Sequence, residues 1–355
     1  MVDKNLALSQ YLAFRYVFDD VVFSSKQIGK RQHYKRIPNE TKTLVGSAED
    51  TDIALRNTFR MISHEKLGIL LSGGMDSAIL ATYMPKGSDA YTFRFVGGEF
   101  AQDELERAES FAEYCGLNLH YVDIDWNIVE SCVDVCMQHK GAPVHSIEPQ
   151  LYYAAKQAKA DGITMLVIGD GADYVFGGMF GLYSKNWSYD QFVKRYIYID
   201  PKDVLVEPAD INPIFETYRL GPNSIDFIRL LDEICIDESY ASYENALEAA
   251  EMCFIDPYDH LKFSHPLDLS RLRNGDPKYI IRELYRMRYC DLPVPQKNPM
   301  PRPVDKYFAN WEGPSRSEFK NNIEITRYTG NQKWLLWCAE RYLNLTDNDE
   351  TIIKI

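Results

Sequence analysis

A run of small and polar residues near position 75 has the types and spacing needed to hold phosphate groups. Gly73 and Gly74 let backbone N–H groups close around an anion, and the positive end of a following helix adds to the attraction. The hydroxyls of Ser72 and Ser77 supply further donors. Asp76 cannot bind a phosphate directly, so its carboxylate indicates a bridging magnesium ion. We therefore predict a phosphate cradle with a Mg²⁺ ligand in it.

A second loop, Gly169 to Asp173, follows the nearly all-apolar segment 163–168. Ligands of open parallel sheets collect at the carboxyl ends of the strands. If both loops lie at that edge, Asp76 and Asp173 face each other across one crevice. Two carboxylates would then meet on the phosphate side of the crevice.

The elements that would position these loops alternate between strand and helix. The apolar periodicity predicts helices over 50–62, 77–84, 103–115, 127–138 and 149–160, and strands over 68–71, 90–95, 117–124 and 163–168. Such alternation implies an α/β fold, a parallel sheet with helices on both faces. Beyond about residue 185 the chain is mainly helical, with 244–252 and 278–288 as the clearest helices.

Domain boundaries follow from these patterns. Residues 1–45 are expected to be an N-terminal extension, an appendage on physical grounds alone. Residues 46–355 form the main unit, divided into an α/β core over 46–185 and a mainly helical part over 186–355. Between 292 and 304 five prolines rule out a helix and predict an extended loop carrying Lys297 and Arg302.

The composition excludes several classes of protein. A net charge of -13 argues against a general nucleic-acid or anionic-membrane binder. No apolar run approaches the roughly 18 residues of a membrane span and no signal peptide precedes the chain, so a cytoplasmic protein is expected. The seven cysteines give no disulfide framework. Cys132, Cys136 and His139 share a helical face, which we interpret as a buried stripe rather than a metal site.

In their order and spacing, the motifs together resemble the asparagine synthetase family. The synthetase domain of that family is an ATP pyrophosphatase of the adenine-nucleotide α-hydrolase type, with a pyrophosphate (PP) loop. The segments that carry the resemblance are 72–77, 92–95, 103–104, 169–173, 176–178, 254–256, 278–282, 296–297 and 334–343. The Ser-Gly-Gly-x-Asp-Ser motif alone is less specific, because tRNA thiolases, GMP synthetases and NAD synthetases also have it. A tRNA-modifying thiolase is disfavoured by the acidic charge.

The resemblance implies ATP and Mg²⁺ as cofactors and adenylation of a small-molecule carboxylate, followed by attack of ammonia or an amine. Asp76 and Asp173 would bind the magnesium ion, Lys278 would grip the leaving pyrophosphate, and Lys297 would stabilise charge on the reacting group. Asp170 would orient the amine or accept its proton. The ATP-binding residues would be Leu71, Ser72, Gly73, Gly74, Asp76, Ser77 and Gly169, with Phe93 near the adenine.

Simpler explanations exist for several of these residues. Asp170 could cap the loop that follows its strand, and Lys278 could be a solvated helix lysine. Asp256 is as well explained by a helix cap or a core salt bridge as by a substrate contact. An alternative to an enzyme is a nucleotide-binding module without catalysis. The joint presence of two carboxylates and two lysines disfavours it.

The chain departs from the family pattern at position 2, where valine stands instead of a catalytic cysteine. We therefore expect no N-terminal glutaminase domain. The nitrogen donor is left open among free ammonia, a glutaminase in another chain, and an amine already on a substrate, as in β-lactam or lasso-peptide forming relatives. Residues 144–148 and Tyr174 also differ from the family pattern, so aspartate is not expected as the substrate. A homo-oligomer is left open.

Overall fold

A five-stranded parallel sheet lies at the centre of the computed structural model, which describes residues 1–18, 21–24, 35–96, 102–296, 302 and 304–347. Its strand order is β4-β3-β2-β5-β8, and every neighbouring pair is parallel. Two short pairs lie outside it, β1 with β9 and β6 with β7. The strands are β1 Thr43–Val45, β2 Leu67–Leu70, β3 Asp89–Phe95, β4 Asn118–Ile124, β5 Met165–Val167, β6 Arg219–Gly221, β7 Ser224–Ile225, β8 Cys253–Ile255 and β9 Leu261–Phe263.

Helices make up most of the remaining described chain. They are α1 Lys4–Phe14, α2 Ala48–Met61, α3 Met75–Ala81, α4 Gln102–Cys115, α5 Trp126–Lys140, α6 Glu148–Ala160, α7 Gly171–Val175, α8 Phe180–Tyr183, α9 Tyr189–Tyr196, α10 Pro201–Val204, α11 Asn212–Glu216, α12 Phe227–Leu230, α13 Ile236–Ala249, α14 Leu269–Arg273, α15 Tyr279–Arg288, α16 Val304–Tyr307 and α17 Gly330–Asp347. A π-helical turn, Leu231–Cys235, joins α12 to α13. No helix in the described part of the chain is long and apolar enough to cross a membrane.

The sheet separates two apolar cores because successive residues of a strand point to opposite faces. Tyr91 and Leu166 belong to the core shared by α1, α5, α6, α13 and α17. Their chain neighbours Ala90 and Val167 belong to the core of α2, α3, α4 and α15. Helices therefore cover both faces, and the α/β prediction is confirmed.

Local sequence explains where the larger helices begin and end. Asp125 caps α5 by accepting a hydrogen bond from the Ile128 N–H at 2.9 Å, and Gly141 ends that helix in the left-handed conformation. Ser47 caps α2 in the same way through the Asp50 N–H. These side chains satisfy N–H groups that have no partner within the helix.

The order of the strands reverses direction between β2 and β5. From β2 the chain moves outward to β3 and β4, and then returns to the other side of β2 to form β5. Helices lie on both sides of such a reversal, so a crevice opens at the carboxyl ends of the two strands. The predicted cradle follows β2 and the Gly169 loop follows β5, which places both at this crevice.

Two sequence interpretations differ from the structure. The sheet takes its fifth strand, β8, from the part of the chain predicted to be mainly helical, because three residues are too few for a period to be visible. Helix α1 is not an appendage: Leu8, Tyr11 and Leu12 are buried in the same core as Trp334 of α17. The N-terminal helix is therefore integral to the main core.

Candidate active site

The cradle is a tight loop between β2 and α3 that is held by its own hydroxyl groups. The Ser72 N–H donates to Ser77 Oγ at 3.1 Å, and the Gly74 N–H donates to Ser72 Oγ at the same distance. The two hydroxyl oxygens lie 3.0 Å apart. These donors point into the loop, so an anion entering the cradle would replace hydroxyl oxygens as their acceptor.

The two glycines of the cradle are needed for different structural reasons. A Cβ atom on Gly73 would collide with the backbone carbonyl oxygen of Glu104, the third residue of α4. The Arg107 side chain also holds this loop against α4, because its Nε donates to the Gly73 carbonyl at 3.0 Å. A Cβ on Gly74 would meet only Ser72 Oγ, at 3.1 Å. Gly73 thus permits close packing against α4, and Gly74 leaves the inside of the loop open.

Two carboxylates and one ammonium group meet beside the cradle. Lys278 Nζ lies 2.5 Å from Asp76 Oδ2 and 2.5 Å from Asp173 Oδ1. Burial alone would lower the pKa of Lys278, but the two carboxylates raise it above its ordinary value. Only 4% of Lys278 is exposed, so this is a buried cation held by two partly exposed anions. The predicted meeting of Asp76 and Asp173 is found in the structure.

Lys278 is not part of helix α15 but precedes it as the N-cap residue. Its backbone is left-handed, with φ 53° and ψ 39°, which costs an L-residue roughly 1–2 kcal/mol. The interpretation as a solvated helix lysine is wrong, because the side chain is buried against the two carboxylates. Such local strain persists only where the surroundings enforce it.

Gly178 makes room for this charged group. A Cβ atom there would collide with Asp173 Oδ1 and with Lys278 Cε. The Gly178 N–H also donates to the carbonyl of Asp173 at 2.7 Å. The Phe-Gly-Gly segment at 176–178 therefore closes around the stem of the lysine.

Asp170 lies on the other side of the second loop, near helix α13. Its Oδ2 accepts a hydrogen bond from Ser239 Oγ at 2.6 Å. Burial raises the pKa of Asp170 to about 7, and the nearby charges of Asp173 and Glu238 act in the same direction. Asp170 caps no N–H group of helix α7 through its side chain. It therefore has the pKa of a group that can exchange a proton near neutral pH.

Asp256 supports the second loop through hydrogen bonds from backbone N–H groups. Its Oδ2 accepts from the Gly171 N–H at 2.6 Å, and its Oδ1 accepts from the Tyr258 N–H at 3.0 Å. Burial raises the pKa of this carboxyl well above its usual value. It is not among the residues that line the cavity described next. Of the roles considered for Asp256, backbone support fits these contacts.

A cavity of about 730 Å³ opens between the two loops. This volume is in the range of sites for nucleotide-sized ligands. Most predicted site residues line it: Leu71, Ser72, Gly74, Asp76, Ser77, Phe93, Gly169, Asp170, Asp173 and Lys278. Gly73 is not among the lining residues. Lys297 lies outside the described residues, although the chain reaches the cavity two residues earlier, at Pro295.

The structure adds lining residues that the sequence interpretation did not single out. Tyr243 comes from α13, and Arg282 lies one turn after Lys278, with its Nε donating to the Pro277 carbonyl at 3.1 Å. Glu104 is 8% exposed, and its Oε2 has no hydrogen-bond partner among the described residues. Burial raises its pKa. Glu104 lies in a segment of the family resemblance, whereas no local signal marks Tyr243.

The residues present fit a magnesium ion. Asp76 and Asp173 already share one cation, so their oxygens lie no further apart than twice the 2.5 Å contact to Lys278. No group of three or more His, Cys, Asp or Glu side chains in the described ranges could hold a metal. A Mg²⁺ ion at this pair would therefore complete its six ligands from phosphate oxygens and water, as it commonly does at nucleotide sites.

The cysteine stripe in α5 has a structural role. Cys132 and Cys136 are buried, and His139 Nδ1 lies 2.8 Å from Asn245 Oδ1 in a network that includes Glu148. All seven cysteines of the chain are free thiols. The interpretation of this face as a buried stripe is confirmed.

The family model and the sequence relatives that match this chain are all asparagine synthases or synthetases. The asparagine synthase family model matches residues 53–242, more than half of the chain. Glutamine-hydrolyzing asparagine synthetase 3 of Arabidopsis thaliana is 27% identical over 178 residues. The root glutamine-hydrolyzing asparagine synthetase of Pisum sativum is 27% identical over 177 residues. Each match covers 44% of this chain but only 30% of the relative.

Solved structures show weaker likenesses. The U34-tRNA thiolase NcsA from Methanococcus maripaludis has a TM-score of 0.34 and 14% identity, covering 86% of this chain and 82% of that one. NMN synthetase from Francisella tularensis has a TM-score of 0.29 and 13% identity, covering 72% and 99%. The extent of the family-model match, together with a cradle after β2 and a second carboxylate loop after β5, shows that the chain belongs to the asparagine synthase family.

Proposed function

We propose that this chain is an ATP-dependent carbon–nitrogen ligase that forms AMP and pyrophosphate. A substrate carboxylate would attack the α-phosphate of ATP, and ammonia or an amine would then attack the activated carboxyl group. The observation that carries the proposal is the meeting of Asp76, Asp173 and Lys278 beside an open cradle. Two anions and one buried cation beside a phosphate site suit a reaction in which the phosphate groups carry most of the charge.

The cavity suggests how ATP would lie. The Ser72 to Ser77 cradle would receive the β- and γ-phosphates, which leave together as pyrophosphate. Phe93, on the third strand, is half-buried in the cavity wall and would contact the adenine. The α-phosphate would then face the second loop, whose Gly169 lines the cavity.

Asp76 and Asp173 would hold Mg²⁺, which neutralises phosphate charge when it is bound. In that state Lys278 and the metal ion would share the two carboxylates. Its ammonium group would then stabilise the oxygens of the leaving pyrophosphate. A lysine is suited to this because its charge sits on a flexible stem.

Each of the two steps forms one bond and breaks one. In the first, a substrate oxygen bonds to the α-phosphorus and the bond to the pyrophosphate oxygen breaks. In the second, nitrogen bonds to the acyl carbon, and AMP leaves with the electron pair of the carbon–oxygen bond. The proton lost by nitrogen would pass to Asp170, whose pKa near 7 suits an acceptor. Lys297 would stabilise the charge on the acyl group as the adenylate forms and collapses.

The test is a pyrophosphate-release assay with ATP, Mg²⁺ and a panel of small carboxylic acids, each with ammonium chloride or an amine. We expect release that depends on the acid and a product with the mass of the amide. Asp173→Asn is the matched variant, since it keeps the size of the side chain and removes the charge. Absence of release with every acid would contradict the ligase proposal.

The nitrogen source is read from the same assay. Comparing ammonium, glutamine and amine-bearing acids separates an ammonia-dependent synthetase from one that joins two substrates or closes a ring. Product with ammonium but not with glutamine would favour free ammonia or a separate glutaminase. Product only with amine-bearing acids would favour chemistry like that of β-lactam and lasso-peptide forming enzymes.

A further inference from the structure

Glu104 is a buried acid that faces the cavity beside the cradle. It is the third residue of α4, and only 8% of it is exposed. Its Oε2 atom is buried and has no hydrogen-bond partner among the described residues. The residue nevertheless lines the cavity between the two loops. A buried polar atom costs free energy when it has no partner, and a ligand in this cavity would supply one.

The packing of the cradle places Glu104 next to the predicted phosphate site. A Cβ atom on Gly73 would lie 2.9 Å from Glu104 Cγ and would collide with the Glu104 carbonyl oxygen. The stem of the glutamate therefore runs alongside the loop whose N–H groups would bind the anion. An oxyanion held by Gly73 and Gly74 would be a close neighbour of the Glu104 carboxyl group.

The cations near this carboxyl group are engaged elsewhere, and none in the described part of the chain forms an ion pair with it. Arg107 lies one turn further along α4. Its Nη1 donates to Asp103 Oδ2 at 2.7 Å, and its Nε donates to the Gly73 carbonyl at 3.0 Å. Across the cavity, Lys278 contacts the two predicted metal ligands instead.

The elements packed against α4 are α3, β3, β4 and, through Phe111, α15. Asp76 is the titratable side chain of α3, and it contacts Lys278. Arg282 of α15 lines the cavity, with its Nε on the Pro277 carbonyl. The titratable side chains of β3 and β4 already have hydrogen-bond partners, which are Arg94 with Asp123, His120 with Asp89, Tyr91 with Asp161 and Tyr121 with Glu109.

These surroundings favour the neutral form of Glu104. Burial raises the pKa of Glu104; the charge of Arg107 opposes this rise, and the charge of Asp103 adds to it. A phosphate bound in the cradle would bring further negative charge and raise the pKa again. Glu104 is therefore expected to be protonated when the cradle is occupied.

Glu104 does not complete the predicted magnesium site. No three His, Cys, Asp or Glu side chains within the described ranges are placed to hold one metal ion. The carboxyl group of Glu104 thus lies apart from the pair formed by Asp76 and Asp173. Its neighbour in an occupied cradle would be the phosphate itself. A neutral carboxyl group can donate its O–H to a phosphate oxygen, whereas a carboxylate can only accept.

We propose that Glu104 binds the terminal phosphate group in the cradle as a neutral carboxylic acid that donates its O–H to a phosphate oxygen. The phosphate is the γ-phosphate of ATP or one end of pyrophosphate, an identity that rests on the proposed function. Binding draws a proton from the solvent wherever Glu104 is ionised in the ligand-free chain, and release of pyrophosphate returns it. No bond to phosphorus changes in this exchange.

The experiment is a calorimetric titration of the full chain with pyrophosphate and Mg²⁺, and with α,β-methylene ATP and Mg²⁺. Glu104→Gln is the matched variant, because the amide has a similar size, donates an N–H and carries no charge. The affinity contributed by the neutral acid is fully present below the pKa of ligand-free Glu104 and falls as the pH rises toward its pKa in the complex. Parent and variant should therefore bind within about threefold of each other at about pH 5.5. At about pH 8 the variant should bind about tenfold more tightly, since one unit of pKa shift is a factor of ten.

The same titrations count protons when they are repeated in two buffers of different ionisation enthalpy. The parent chain should take up more protons per ligand than Glu104→Gln, and the comparison cancels the protonation of the ligand itself. Glu104→Ala lacks the donor and should bind more weakly than Glu104→Gln at both pH values. Glu106→Gln is the control, because Glu106 is an exposed residue of the same helix. Melting temperatures close to that of the parent chain would show that the variants fold.

The proposal is overturned if Glu104→Gln binds pyrophosphate more weakly than the parent at about pH 8, because an ionised Glu104 would then accept from the ligand or hold a metal ion. A ratio of affinities that does not change with pH also overturns it. Either result, obtained with acid-dependent pyrophosphate release, leaves the ligase proposal standing. The expected change of the ratio without any such release would support the role of Glu104 and contradict the ligase proposal. A parent chain that binds neither ligand would contradict both.

Discussion

Replacing Lys278 tests the site most directly, because its ammonium group contacts both predicted metal ligands. Its Nζ lies 2.5 Å from a carboxylate oxygen of Asp76 and of Asp173. Lys278→Ala removes the positive charge that the leaving pyrophosphate would meet. Losing one such stabilising group lowers kcat by roughly 100- to 1000-fold, or about 2.7–4 kcal/mol in the barrier.

The same replacement should change metal binding in the opposite direction. A divalent ion entering the free enzyme must compete with the ammonium for both carboxylates. At an effective dielectric constant of 20, one such 2.5 Å contact is worth about 7 kcal/mol before screening. Because the two carboxylate side chains are 24% and 28% exposed, most of this is screened. We expect Lys278→Ala to bind Mn²⁺ without nucleotide on the order of tenfold more tightly.

A second variant separates charge from backbone strain. Lys278→Gly also removes the ammonium, but glycine accepts the left-handed backbone at φ 53° without steric cost. The glycine variant should therefore be more stable to unfolding than the alanine variant by about 1 kcal/mol or less. Both should lose activity to the same extent.

The assays are pyrophosphate release, Mn²⁺ binding followed by electron paramagnetic resonance, and urea unfolding. Lys194→Met is the control, because Lys194 is an exposed residue of α9. Full turnover in Lys278→Ala, or unchanged Mn²⁺ affinity in both variants, would refute the reasoning. Loss of activity in the alanine variant alone would assign the effect to the backbone instead of the charge.

Four further predictions concern the same site. The rate of amide formation should rise with pH and level off above about 7 as Asp170 loses its proton. The Asp170→Asn variant should react more slowly and should show no such rise. If the variant kept the pH profile of the parent chain, Asp170 would not be the proton acceptor. The folded-state pKa of Asp170 is raised above its unfolded value, so this group makes stability to unfolding fall between about pH 4 and 7, and the asparagine variant should lack that fall. Gly178→Ala should abolish activity because the added Cβ collides with Asp173 and Lys278, whereas Gly181→Ala, whose Cβ would meet only a side-chain nitrogen at 3.6 Å, should be silent. Lys297→Ala should stop product formation while leaving ATP affinity, measured by titration, within about threefold; full turnover would remove Lys297 from the mechanism.

Much of the α/β half could be predicted from sequence. Apolar periodicity placed the four strands β2 to β5 and their helices to within a few residues, since period and turn chemistry are local properties. The rule that ligands collect at the carboxyl ends of parallel strands brought Asp76 and Asp173 together. Neither the strand positions nor the meeting of the two carboxylates depends on how the side chains pack.

Other features depended on the folded chain. Strand β8 has three residues, too few for any period, and becomes a strand only because β5 offers it an unpaired edge. Helix α1 is buried by α17, more than 300 residues away in sequence. No local pattern carries information about such a partner.

The chain's own sequence determined that there is a glycine loop with hydroxyl donors, a second acidic loop and a parallel sheet to hold them, because glycine conformations, hydroxyl donors and strand periods are short-range properties. Only the tertiary structure decided that Lys278 stands between the two carboxylates, with Gly178 making the space. The physical reason is that charge balance depends on distances between residues brought together from remote parts of the chain, and those distances exist only after folding.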